Sequence, residues 1–105
     1  MIGTWSAQQP FFRSGGAPIN RVAPAITPDP ASASDLLTVS NGTWQFAVSF
    51  SYQWFADDSP VGSNVNTFDP SSEGIGAGAS ISCSVTATSA TGRTATASSQ
   101  KVTLT

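Results

Sequence analysis

The feature that most constrains this sequence is a strict alternation of apolar and hydroxyl side chains between residues 81 and 88. Ile81, Cys83, Val85 and Ala87 alternate with serine and threonine. A period of two places successive side chains on opposite faces of a β-strand. The segment therefore predicts a strand with one buried face and one hydroxylated face.

Two earlier segments show the same period. Leu37 and Val39 alternate with hydroxyl residues, and Phe50, Tyr52 and Trp54 share one face of an aromatic segment. The inward residues of these three strands should pack together as a core. The core residues that we expect are Leu37, Val39, Tyr52, Trp54, Ile81, Cys83 and Val85.

The other predicted strands are short and lie between turn residues. Flanking prolines limit residues 25–27 to a strand at a sheet edge. Asn41-Gly42 favours a tight turn, and a change of parity after Ala97 predicts a bulge near residues 98–100. The 105 residues fit one domain. About seven short strands separated by such turns predict an all-β sandwich.

The N-terminal segment differs from the rest of the chain. Residues 1–22 lack a helix or strand period, yet they hold three of the ten aromatic residues, although flexible tails are normally poor in aromatics. We predict an extended docking arm over residues 1–22 and a sandwich over residues 23–105. The docking residues that we expect are Trp5, Phe11, Phe12, Arg13 and Arg21. The alternative is that this segment adds an edge strand to the same domain.

Charge and cysteine content narrow the range of partners. The arm has two arginines and no acid, whereas residues 23–105 have six acidic and two basic residues. An acidic domain with one lysine is poorly suited to a phosphate backbone, so we expect no nucleic acid partner. No long apolar run or secretory leader is present, so we expect no membrane partner. The single cysteine excludes an intramolecular disulfide, as expected of a protein made in a reducing cytoplasm.

Few residues of this chain carry catalytic or ligand-binding chemistry. Histidine is absent, and Cys83 alternates with apolar residues, which favours a core position over a nucleophile. Asp57-Asp58 offers oxygen ligands for calcium, but hairpin turns favour aspartate for reasons of their own. The glycine-rich residues 73–78 lack the Lys-Ser/Thr ending of a phosphate loop. Asn41-Gly42-Thr43 matches a glycosylation sequon, but we expect a turn there, because a chain without a secretory signal would not meet the glycosylation machinery. We predict no enzymatic activity, no metal and no cofactor.

Three segments together carry a family resemblance. They are LTVSNGTW from Leu37, YQWFAD from Tyr52, and GASISCSVTAT from Gly78 followed by Thr91-Gly92. These segments resemble the immunoglobulin-like modules of bacterial surface proteins and of tailed-phage structural proteins. The resemblance covers residues 23–105 and implies an immunoglobulin-like Greek-key β-sandwich.

The resemblance also implies positions for individual residues. Trp54 falls on strand C and Cys83 on strand F, with Leu37 or Val39 where strand B of antibody domains carries the partner cysteine. Ile81 stands where antibody-like domains place the tyrosine of the tyrosine corner. The inter-sheet disulfide is therefore absent from this chain, while the sandwich is retained.

The expected function follows from the resemblance and the arm. We expect a capsid decoration or cement protein of a tailed phage, located in the virion and assembled in the host cytoplasm. Its arm would bind the major capsid protein, another virion protein or other copies of the chain. The alternatives are a tail, neck or head-fibre component, and a cell-surface adhesion or carbohydrate-binding module. The last would bind glycans through exposed aromatic side chains at Trp44, Phe46 or Phe55.

Overall fold

A computed structural model describes residues 16–105 of the chain, and this part is all-β, as the sequence predicts. It contains ten strands: β1 (Ile19–Val22), β2 (Ile26–Thr27), β3 (Leu37–Val39), β4 (Thr43–Gln45), β5 (Ser49–Ala56), β6 (Ser59–Val61), β7 (Thr67–Phe68), β8 (Ser80–Thr88), β9 (Thr94–Ser98) and β10 (Val102–Thr103). A 3₁₀ turn at Pro70–Glu73 precedes β8.

The strands of this part form three antiparallel sheets. The largest has the order β10-β8-β5-β6, with β9 also paired to β8. A three-stranded sheet has the order β2-β3-β7, and β1 pairs with β4 in a separate ribbon. This arrangement is compatible with a β-sandwich.

One apolar core joins the two larger sheets. Every second residue of β8 from Ile81 to Ala87 is fully buried, because its alternation places all four apolar side chains on one face. Leu37 and Val39 of β3 and Trp54 of β5 are buried against them. Replacing a buried tryptophan with alanine typically costs about 3–5 kcal/mol. Tyr52 lies half-buried at the margin of this core.

Trp54 connects the sheets directly. Its ring stacks on Phe68 of β7 with centroids 5.4 Å apart and an interplanar angle of 20°. Its indole Nε1 donates a hydrogen bond to the Val65 carbonyl at 2.8 Å. The ring is therefore packed and its N–H is hydrogen-bonded, as a buried tryptophan requires.

The side chain of Gln100 links the two larger sheets by hydrogen bonds. The amide of Gln100 donates to the Ile26 carbonyl at 2.8 Å and accepts from the Ile26 N–H at 3.0 Å. The side chain thus provides the two bonds that a neighbouring strand would otherwise make. Gln100 lies between β9 and β10, where the pairing register on β8 shifts by one residue and the sequence predicts a bulge.

The β1–β4 ribbon includes residues that the sequence analysis places in the N-terminal arm. The sequence analysis assigns residues 1–22 to an arm outside the sandwich, whereas Ile19–Val22 pair with Thr43–Gln45. For these four residues the structure corresponds to the alternative, an added strand. The sequence pattern misses this strand because it is short, has no alternation and lies between prolines.

Asn41-Gly42 does not form the tight turn that the sequence predicts, because β3 and β4 belong to different sheets. Gly42 instead permits the close approach of β1 to the connection between β3 and β4. Its φ is +80°, and a Cβ at this position would lie 2.2 Å from the Val22 carbonyl oxygen. Gly74 has a similar φ of +73°, but a Cβ there would meet no atom within 4 Å. A substitution at Gly74 therefore measures only the cost of placing a side chain on a left-handed backbone. A substitution at Gly42 adds the cost of a clash with β1.

We expect Gly74→Ala to lower the free energy of unfolding by about 1–2 kcal/mol, through backbone strain alone. Gly42→Ala should cost at least about 1 kcal/mol more, because β1 must move away from the added methyl group. Urea unfolding measures both losses, and hydrogen exchange at the backbone amides of Ile19–Val22 reports whether β1 has separated from β4. Equal losses for the two variants would contradict this role of Gly42.

Candidate functional site

The predicted docking residues fall into two groups. Trp5, Phe11, Phe12 and Arg13 lie outside the described residues. Arg21 lies on β1 with an exposed side chain, and its Nη2 donates a hydrogen bond to the Gln45 side chain of β4. Arg21 therefore stabilises the β1–β4 ribbon.

Asn41 organises the aromatic residues next to this ribbon. Its backbone carbonyl accepts a hydrogen bond from Trp44 Nε1 at 2.6 Å, and its Oδ1 accepts one from the Tyr52 hydroxyl at 2.5 Å. The Trp44 ring also packs against Phe50 at 6.4 Å, in a tilted geometry. Trp44 is thus held in place with part of its surface in solvent, and the sequon residue Asn41 is engaged within the fold.

Phe46 follows β4 in an unusual conformation. Its φ is +67°, in the left-handed region that bulky residues rarely adopt. Its side chain is half-buried, as are those of Trp44 and Phe55. Each of the three residues expected to offer aromatic contacts therefore keeps part of its surface accessible.

Phe55 stands apart from the other two, on the outer face of the five-stranded sheet. Beside it lies a shallow depression of about 260 Å³. The depression is lined by Phe55, Asp58, Ser82, Ser84, Ser98, Ser99 and Lys101. One aromatic wall with several hydroxyls and an ion pair provides both a stacking surface and hydrogen-bonding groups.

The polar groups of this depression are largely satisfied by one another. Lys101 Nζ lies 3.0 Å from Asp58 Oδ1, with both side chains well exposed, so the pair contributes little to stability. The Ser84 and Ser98 hydroxyls lie 3.2 Å apart across β8 and β9. Sequence reasoning identified Phe55 but not its neighbours. The pairing of β8 with β9 brings the neighbouring serines together, and no spacing within a single segment of the sequence predicts that pairing.

Asp57 and Asp58 form the turn between β5 and β6. Their φ values are +50° and +68°, which is the left-handed pair required by a two-residue hairpin. Asp57 Oδ1 also accepts a hydrogen bond from the Ser80 N–H at 3.0 Å. Both carboxylates are therefore used in joining elements of the fold. Within residues 16–105, no group of three or more His, Cys, Asp or Glu side chains could hold a metal ion.

Cys83 is buried at the centre of the core. Its Cα faces that of Trp54 across the β5–β8 pair, and its side chain has no exposed surface. Desolvation raises the pKa of the Cys83 thiol from its ordinary 9.0 to about 11. The residue is therefore a protonated thiol at neutral pH, which is neither a nucleophile nor a metal ligand.

Comparisons with models of protein families, with curated proteins and with solved structures found no match for this chain. In the described residues no helix is long and apolar enough to cross a membrane.

The buried thiol should make stability depend on pH at alkaline values. Folding raises its pKa, so its contribution is complete below pH 9 and is lost as the pH rises through about 11. We expect the free energy of unfolding of the wild type to fall more between pH 8 and pH 11 than that of Cys83→Ala. Urea unfolding under reducing conditions measures both, and parallel pH profiles would contradict the prediction.

Proposed function

We propose that this chain is a non-enzymatic virion structural protein, a capsid decoration or cement protein of a tailed phage. In this proposal the N-terminal arm docks on the major capsid protein, and an immunoglobulin-like domain is displayed on the surface. The protein is assembled onto the particle in the host cytoplasm. The observation that carries the proposal is the β1–β4 ribbon, which attaches the end of the arm to the domain.

The strand order supports the immunoglobulin-like part of the proposal. In this assignment β2, β3 and β7 are strands A, B and E, and β5, β6 and β8 are strands C, C′ and F. Strand G is interrupted and comprises β9 and β10, which pair with the same edge of β8. The parallel bridge between Ala31 and Leu104 fits a first strand that crosses from one sheet to the other. The β1–β4 ribbon is an addition to these seven strands.

The ribbon supports docking because it fixes the last residues of the arm to the domain by strand pairing. β1 is held to β4 by backbone pairing, by the Arg21–Gln45 hydrogen bond, and by the Asn20 amide, which donates to the Thr43 carbonyl at 3.3 Å. A partner bound to the arm therefore holds the domain through a paired strand. Burial of the arm's aromatic side chains would supply about 25 cal/mol per Å² of apolar area. Multiple copies on a symmetric particle would increase the avidity.

A tail, neck or head-fibre position uses the same arm on a different partner. Electron microscopy of particles carrying a labelled copy of the chain distinguishes these positions. Label on the head surface supports the decoration role, whereas label confined to the tail or neck replaces it.

We expect deletion of residues 1–15 to abolish binding to heads assembled without this protein, because it removes the apolar anchors. The deletion stops before Ile19 so that β1 remains paired. A triple variant, Trp5→Ala, Phe11→Ala and Phe12→Ala, keeps the length and charge of the arm and should bind equally poorly. Cosedimentation with heads measures binding, and an unchanged melting temperature shows that the domain is intact. Retained binding by both variants would overturn the docking role of the arm.

The depression beside Phe55 favours carbohydrate binding as a second candidate function. Its partly exposed aromatic side chain and surrounding hydroxyls match the apolar face and the hydroxyl groups of a sugar ring. Such a site would give a displayed domain a contact with cell-surface glycans.

We expect Phe55→Ala to weaken any glycan binding roughly tenfold, because the stacking surface is lost. The control is Thr88→Ala on β8. Thr88 lies on the same face of the sheet as Phe55 but outside the depression, so this variant should not change the affinity. Glycan-array screening of the full chain followed by calorimetry measures both variants. Equal affinities for the two variants would exclude the Phe55 depression as the binding site.

A further inference from the structure

β9 forms one edge of the five-stranded sheet and, among the strands of residues 16–105, pairs only with β8. In an antiparallel pair, alternate residues turn their backbone N–H and C=O groups toward the partner strand. The Ser89 N–H bonds to the Arg93 carbonyl and the Ser99 N–H to the Cys83 carbonyl, so the odd-numbered residues of β9 bond to β8. Thr94, Thr96 and Ser98 therefore direct their backbone groups away from β8. These groups have no partner in the part of the chain that the structure describes.

The other edges of the two larger sheets are blocked. β6 contains Pro60, which has no N–H to offer a further strand. β2 is followed by Pro28, and β7 is followed by Pro70 after one residue. β10 is covered where Ala31 bridges to Leu104. Proteins block open edges in these ways to avoid pairing with other chains.

The sequence of β9 contains none of these protective features. It reads TATAS, with no charge, proline or bulge, and Thr94, Thr96 and Ser98 are all exposed. β1 lies near β9 without pairing with it. Within residues 16–105, no strand other than β8 pairs with β9.

We propose that a second copy of the chain pairs with β9 in antiparallel orientation, across a two-fold axis at Thr96. Thr96 then faces Thr96 of the other copy, and each Thr94 faces the other copy's Ser98. All three positions direct their N–H and C=O groups outward, so each of these pairs exchanges two backbone hydrogen bonds. The two five-stranded sheets become one continuous sheet through the dimer.

The side chains of β9 are compatible with this register. On one face of the joined sheet, threonine and serine stand opposite one another, a favourable cross-strand combination. The other face carries the half-buried Ala95 and Ala97, which are small enough to pass a neighbouring strand. No pair of like charges meets across the axis, since β9 is uncharged. The self-complementary sequence is the reason to assign a second copy to this edge.

The contact is small, so the dimer should be weak in solution. An edge pairing of five residues buries less area than the roughly 1,200–2,000 Å² of a stable interface. Its affinity would matter where copies are held at high local concentration, as on a symmetric particle.

Charge substitution at the axis tests the pairing with the full chain. Thr96→Lys and Thr96→Glu each place like charges opposite one another, so each should raise the dimer Kd by about tenfold or more. An equimolar mixture of the two variants should form a heterodimer with a Kd near that of the wild type. Sedimentation velocity over a range of concentrations and at low salt measures these constants. The control is Thr103→Lys, which adds the same charge at an exposed threonine of β10 and should keep the wild-type Kd.

A backbone variant provides a second, independent measurement. Thr96→Pro removes an outward N–H and leaves the bonds that Ala95 and Ala97 make to β8, so it should also abolish the dimer. Thr96→Val retains that N–H and should dimerise like the wild type. Circular dichroism checks that each variant is folded. A wild type that stays monomeric at millimolar concentration would overturn the proposal, as would dimers that persist in both Thr96→Lys and Thr96→Pro.

Discussion

The fold depends on the burial of Trp54 between the two larger sheets. The side chain contacts Phe68 of the three-stranded sheet from its position on β5, and its indole N–H is bonded to the Val65 carbonyl. Cys83 faces it on β8 and has no cysteine partner, so the sheets are joined by packing rather than by a covalent bond. A thiol in this position serves as a small apolar group. The same burial suppresses the reactivity of the cysteine.

Two polar side chains, those of Gln100 and Asn41, add hydrogen bonds between parts of the fold that the apolar core alone does not join. Gln100 bonds to both backbone groups of Ile26 and joins the sheets at the point where strand pairing is interrupted. Asn41 bonds to Trp44 and Tyr52 and fixes the aromatic residues beside the β1–β4 ribbon. The ribbon in turn fixes the position of Ile19–Val22, to which the N-terminal residues are joined. The docking role that we propose for those residues therefore depends on contacts made by the folded domain as well as on their aromatic side chains.

Sequence reasoning succeeded where a pattern lies within one segment. The period of two identifies β3, β5 and β8, and the Asp57-Asp58 pair marks the β5–β6 turn, because these signals depend only on neighbouring residues. The turn expected at Asn41-Gly42 was wrong, because β3 and β4 pair with strands of different sheets. Sequence reasoning missed β1 and β4, because a strand of three or four residues without alternation is stabilised by its partner and not by local preference. For the same reason, Ile19–Val22 were assigned to the arm although they pair with β4. The surroundings of Phe55 were also missed, since they come from three different strands.

The sequence by itself determined the all-β class, the composition of the dry face of β8 and the core position of the lone cysteine. These properties follow from side-chain chemistry and from spacing along the chain. Only the tertiary structure decided which edges of the sheets are blocked, which groups line the Phe55 depression and where the N-terminal segment is attached. Each of these depends on strand pairing between distant residues, and the register of such pairing comes from the packing of the whole core.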